Sequence, residues 1–211
     1  MLVDEFQNYL PEQIRLMKTC GQKTAQSMIY IGDIAQQVQI GTVRDWSQIQ
    51  ETISSKRLVE LTKVYRNTKE ILSFIASLGY TVEIPAELRS GVPVQEVSLS
   101  DKTHEINYIQ ERVHTLEANQ TVGVLARNET YLSEFKLAFA QNENVHVLDI
   151  KEAQGVEFDV VCLVGVENNL FRDPEGTPEK QRILKNLLYI ALTRAMSELH
   201  VLGRTKLHRF E

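Results

Sequence analysis

Apolar and polar positions follow two rhythms in this chain, and from about Lys56 onward the two alternate. Leu58 to Leu61 reads as a strand. Asn67 with Glu70 resembles a capping box, and Ile71, Leu72, Phe74, Ile75 and Leu78 recur at helical spacing until Gly79 stops the run. Ile84 to Pro93 carries two prolines and a glycine and reads as a loop, and Val94 to Leu99 reads as a short strand. Ser100 or Asp101 caps a second helix with Ile106, Ile109, Val113 and Leu116 on one side. Thr121 to Ala126 is the next strand, followed by a helix capped by Asn128 and lined by Tyr131, Leu132, Phe135 and Phe139. Val145 to Ile150 and Val160 to Val166 are strands, the second apolar enough to be buried on both faces. Glu179 to Thr193 is a helix and Leu199 to Leu202 a closing strand. This alternation predicts an α/β fold, a mostly parallel sheet flanked by helices.

Residues 1–55 differ in kind. Met1 to Val3 looks like the end of a strand, Pro11 to Cys20 a helix, Ser27 to Ile31 a strand and Asp45 to Ile53 a helix. Two strands do not sustain an independent sheet of this type. The expectation is a partial first domain over 1–55, a boundary near Ser54-Ser55 and a second domain over 56–211.

Composition narrows the function classes. A hydrophobic share of 43% suits a protein with a sizeable core, and a net charge of −5 argues against a broad non-specific surface for nucleic acid. Cys20 and Cys162 are too far apart in sequence to suggest a metal site or a disulfide framework, and the five histidines show no ligand spacing. No run approaches the roughly 20 apolar residues of a membrane span, and no signal-peptide layout opens the chain. A cytoplasmic location without membrane association is expected.

The chemistry sits in short strings. Asp4-Glu5 follows a strand, where one carboxylate can hold a hydrated Mg²⁺ and the other can orient a water beside a terminal phosphate. Alone, such a pair is commonly a solvated turn. Gly32-Asp33 ends another apolar strand, with Gln36 placed so that its amide can reach a phosphate or the attacking water. Two polar-tipped strands side by side would make a catalytic edge, because ligands of open parallel sheets sit at the carboxyl ends of strands. No G-x-x-x-x-G-K-[ST] phosphate loop precedes them in the chain.

With these strings the chain resembles the UvrD/Rep-type superfamily 1 helicases. Asp4-Glu5-Phe6-Gln7 is similar to their motif II and Gly32-Asp33-Ile34-Ala35-Gln36 to motif III. Leu61-Thr62-Lys63-Val64-Tyr65-Arg66-Asn67-Thr68 resembles motif IV, Gln154-Gly155-Val156-Glu157-Phe158-Asp159 motif V, and Leu188 to Ala195 motif VI. The resemblance implies a RecA-like second helicase domain of the P-loop NTPase class, preceded by part of the first. ATP and Mg²⁺ are the implied ligands. Asp4 would hold the metal, Glu5 orient water and Gln36 sense the γ-phosphate. Arg66 and Arg194 would act as charge-stabilising fingers, Glu157 would accept a hydrogen bond from the ribose, and Gln7, Tyr65 and Gly155 would complete the nucleotide site.

Two departures qualify the family pattern. Asp149, Lys151 and Gln154 stand where motif V commonly has Thr, His and Lys, and an acid at Asp149 would repel a phosphate. The stretch between Arg66 and Gly155 is filled by its own strands and helices, leaving no room for a large inserted domain. This compact form is similar to the RNA polymerase recycling motors of the HelD type. The implied partners are nucleic acid, above all single-stranded DNA, or RNA polymerase, with the rest of the first RecA-like domain supplied upstream. An ATP-driven motor is the leading expectation. The alternative is a non-catalytic interaction module that keeps the fold.

Overall fold

Strands form wherever a β-branched or apolar run finds a partner that buries it. A computed structural model describes residues 1–21, 28–52, 54, 56–61, 65–167 and 170–210, and the chain divides into two compact units. One consists of Met1–Leu61 with Pro174–Leu187, the other of Thr62–Asp173 with Leu188–Glu211.

The first unit contains strands β1 (Leu2–Val3) and β2 (Ile29–Tyr30), which pair in parallel, and helix α1 (Pro11–Gly21) between them. Its core gathers Val3, Phe6, Ile14, Val43 and Ile49, with Tyr30 and Trp46 packed against it. Phe6 stacks on Trp46 with ring centroids 4.8 Å apart. The expected helix over Asp45 to Ile53 is instead a 3-10 turn, Trp46–Ile49, capped by a reciprocal Asp45–Gln48 box. It stops because Gln50 adopts the left-handed conformation at φ 56°. Ser27, Ile53 and Ser55 of the expected elements lie outside the described residues.

The second unit runs α2 (Lys69–Ser77), β3 (Gln95–Ser98), α3 (Lys102–Val113), β4 (Val122–Ala126), α4 (Glu129–Ala138), β5 (Val145–Asp149), β6 (Phe158–Val166), α5 (Pro178–Thr193) and β7 (Ala195–Gly203). Helix α5 begins within the first unit and ends within the second. The strands form one sheet in the order β3-β7-β6-β4-β5, every pair parallel. The α/β class and the parallel sheet are as expected. Along β6, Val160, Cys162 and Val164 join Ile109 of α3 and Leu132, Phe135 and Phe139 of α4 in one cluster, and Val161 and Leu163 between them are buried as well. Burying each such side chain contributes about 1.5–3 kcal/mol.

Two local expectations are corrected. Leu58 to Leu61 is not a strand: Val59 is 83% and Leu61 94% exposed, and no described strand pairs with the run to bury it. Thr68, not Asn67, caps α2, its hydroxyl accepting the Ile71 N–H. Asp101 and Asn128 cap α3 and α4. Among the described residues no helix is long and apolar enough to cross a membrane.

Candidate functional site

Parallel pairing of β1 with β2 brings Asp4-Glu5 and Gly32-Asp33 to the same end of the small sheet. Asp4 and Glu5 are exposed, and the Asp4 carboxylate accepts the Glu5 N–H at 2.9 Å. Glu5 holds a left-handed backbone, φ 49° and ψ 43°, which costs a non-glycine residue about 1 kcal/mol or more and is a feature of functional turns. Gln7 is fully buried. Its amide nitrogen donates to the Glu5 carboxylate, and its oxygen accepts the Asp33 N–H at 3.1 Å. This one side chain ties the two strings together. Gly32 is required by that approach, since a Cβ there would lie 2.1 Å from Gln7 Oε1 and 2.7 Å from Phe6 Cδ1. Asp33 caps the 3-10 turn Ile34–Gln36 through the Ala35 N–H at 2.9 Å, and its other oxygen takes the Gln36 amide at 3.1 Å.

The next residue, Gln37, carried no sequence signal. It is fully buried and donates to the Thr42 carbonyl and hydroxyl at 2.9 and 2.8 Å. Its side-chain oxygen accepts from Arg182 and its carbonyl from Asn186, both at 2.9 Å. The two donors lie one turn apart on α5, so the chain after Gln36 is fastened to the middle of that helix.

In the second unit the remaining strings converge at the amino ends of two neighbouring strands. Glu157 precedes β6, Arg194 precedes β7, and Phe158 stands opposite Ala195 in the register. The Phe158 N–H donates to the Arg194 carbonyl at 3.0 Å. Arg66 forms an ion pair with Glu157 at 2.5 Å, joining two strings far apart in sequence, with both side chains about a third exposed. Arg194 is 2% exposed, its guanidinium donating to the carbonyls of Ile190 at 3.3 Å and Val156 at 3.4 Å. Tyr65 is 57% exposed. Gly155 sits at φ +79° with open space around its Cα, so the turn, and not crowding, calls for glycine there.

Asn67 and Arg89 were not singled out for this site by sequence. Asn67 is fully buried and donates from Nδ2 to the carbonyls of Thr193 at 3.1 Å and Ala195 at 2.6 Å. Arg89 donates from one terminal nitrogen to the carbonyls of Arg66 at 2.9 Å and Met196 at 2.7 Å. The acid at position 149 also has a local task, since its carboxylate accepts the Lys151 N–H at 2.8 Å and shapes the turn that leads to Gly155. Thr62, Lys63 and Val64 lie outside the described residues.

Each unit thus presents its own set of candidate residues, an acid-tipped pair of strands in one and two arginines with a carboxylate in the other. Guanidinium groups fit phosphate oxygens, and exposed carboxylates at strand ends fit a hydrated divalent cation. A family model for the UvrD-like helicase C-terminal domain matches residues 15–204. Among solved structures, the C-terminal domain of a possible DNA helicase from Lactobacillus plantarum WCFS1 is similar at 19% identity and a TM-score of 0.52, over 69% of this chain and 91% of that one. At that identity the likeness concerns the fold. No curated protein matches the chain.

Proposed function

The chain belongs to the UvrD-like helicase C-terminal domain family, and on that footing we propose that it supplies part of the ATPase site of a DNA helicase or translocase. The observation that carries this reading is the convergence of Arg66, Glu157 and Arg194 from three separate strings onto the amino ends of β6 and β7.

In this reading both sets of residues serve ATP. The exposed Asp4 carboxylate, which accepts the neighbouring Glu5 N–H, fits a Mg²⁺ ligand. The metal would offset charge on the phosphates. Glu5, held by Gln7, orients the attacking water and accepts its proton. Gln36, steadied by Asp33, contacts the γ-phosphate. Arg66 exchanges its ion pair with Glu157 for a phosphate oxygen, which leaves Glu157 to accept from the ribose, while the exposed Tyr65 ring offers a stacking face for the base. Arg194 stabilises charge that develops on the transferred phosphoryl group. Single-stranded DNA is the proposed track, with RNA polymerase recycling as the more specialised form.

Arg194→Ala in the full-length protein tests the assignment. ATP turnover is expected to fall by about 10³-fold or more while ATP binding is largely kept. Unchanged turnover would sink the finger role. Weak binding of Mg-ATP by the unsubstituted protein, with no hydrolysis, would instead favour a non-catalytic module.

A further inference from the structure

We propose that Asn67 and Arg89 are positioning residues that lock the spacing between Arg66 and Arg194. The proposal rests on the ATPase reading above and adds to it two residues to which the resemblance assigns no role, Asn67 within the motif IV string and Arg89 outside every string.

Four successive carbonyls around Arg194 each receive a donor from outside their own segment. Thr193 and Ala195 are held by Asn67, Arg194 by the Phe158 N–H, and Met196 by Arg89. Asn67 is also the residue that follows Arg66, and Arg89 also holds the Arg66 carbonyl. Each of the two side chains therefore uses the two hydrogens of one NH₂ group: Asn67, covalently next to Arg66, holds the carbonyls on either side of Arg194, and Arg89 bridges the Arg66 carbonyl to that of Met196. Arg194 cannot shift along its strand without breaking bonds to the segment that carries Arg66.

The residue types follow from this task. An aspartate at position 67 would have no donor for two carbonyls, and an alanine would leave both buried acceptors unpaired. Helix capping does not account for Asn67, because Thr68 performs it. Arg89 lies in the loop before β3, and that loop is itself tied to the start of α2 by the Lys69 N–H to Arg89 carbonyl bond at 3.0 Å and the Gly91 N–H to Glu70 bond at 2.6 Å. A guanidinium acting on a transition state must be placed to within a fraction of an ångström, and a misplacement of about 1 Å can cost about 10²-fold in rate.

The test is steady-state ATP hydrolysis by the full-length protein with Asn67→Ala, Arg89→Ala, Arg89→Lys and Arg194→Ala, each accompanied by thermal melting. Both alanine variants at 67 and 89 are expected to lower kcat about 10- to 100-fold with KM for ATP changed less than about threefold. Arg89→Lys should recover most of the rate, since an ammonium keeps enough hydrogens for two carbonyls. Arg89 is on an exposed loop, so its variant stays informative even if Asn67→Ala fails to fold. Unsubstituted kcat in Arg89→Ala, or a rise in KM at unchanged kcat, would overturn the positioning role. The Arg194→Ala control separates the two levels: normal turnover there defeats the ATPase reading itself, whereas its loss beside a fully active Arg89→Ala defeats the positioning role alone.

Discussion

Glu105 is the residue whose surroundings least suit its charge. It lies on α3, 2% exposed, and its carboxylate accepts the Gly165 N–H at 3.2 Å and the Tyr131 hydroxyl at 3.1 Å. Lys102 and Glu167 also face it, with opposite effects on its charge. Burial dominates and pushes the carboxyl from the ordinary 4.5 up to about 7. The folded chain therefore holds this proton where the unfolded chain has released it. The contribution of Glu105 is fully favourable below pH 4.5, declines as pH rises, and levels off above about 7. His200, whose affinity for a proton is lowered by burial, works in the opposite direction as pH falls below the ordinary histidine value of 6.5. The difference in denaturation midpoint between the unsubstituted chain and Glu105→Gln isolates the first effect. It should move against the unsubstituted chain from pH 4.5 to 7, and a flat difference would remove the assignment. None of this was legible in the sequence, where Glu105 is one acid among many on a helix and only the fold places it behind the Gly165 turn.

At the scale of elements, the helices were legible because their caps and 3.6-residue stripes are local. The strands β4, β5 and β6 were legible because their runs are long and apolar. The shortened helix after Asp45 ends on the local left-handed turn at Gln50, whereas the other failures share a cause. Leu58 to Leu61 has strand composition, yet a strand exists only where a neighbour supplies its hydrogen bonds, and no local signal shows that the neighbour is missing. Residues such as Asn67 and Gln37 were misread or passed over because their partners lie on α5 or beside it, far along the chain. The Gln37 node makes this measurable. Asn186→Ala leaves the buried Gln37 carbonyl without its donor and should cost about 1–3 kcal/mol, read by chemical denaturation. Arg182→Ala should cost less, because the side chain it leaves behind still bonds Thr42 through its amide. A neutral Asn186→Ala would show that α5 is held to this segment by packing alone.

For the molecule as a whole, the motif strings made the family and the α/β class readable, since they are short, ordered and chemically constrained. What they did not reveal is how unevenly the two units are built. The core of the first unit rests on Val3, Phe6, Ile14, Val43 and Ile49 around a two-stranded sheet, while the second packs α3 and α4 on a five-stranded one. A two-stranded sheet is marginal by itself, so the first unit should open at lower denaturant. The single tryptophan, Trp46, belongs to that smaller core and stacks on Phe6 beside the Asp4-Glu5 turn. Its fluorescence therefore reports the first unit, whereas far-ultraviolet circular dichroism is dominated by the helices and strands of the second. In urea the fluorescence midpoint is expected to precede the dichroism midpoint. Coincident transitions would mean that the two units unfold as one cooperative body. In that case the strained Glu5 turn would be held by the stability of the entire chain. Separate transitions would instead leave it on the more readily opened part of the molecule, where binding-competent turns are commonly found.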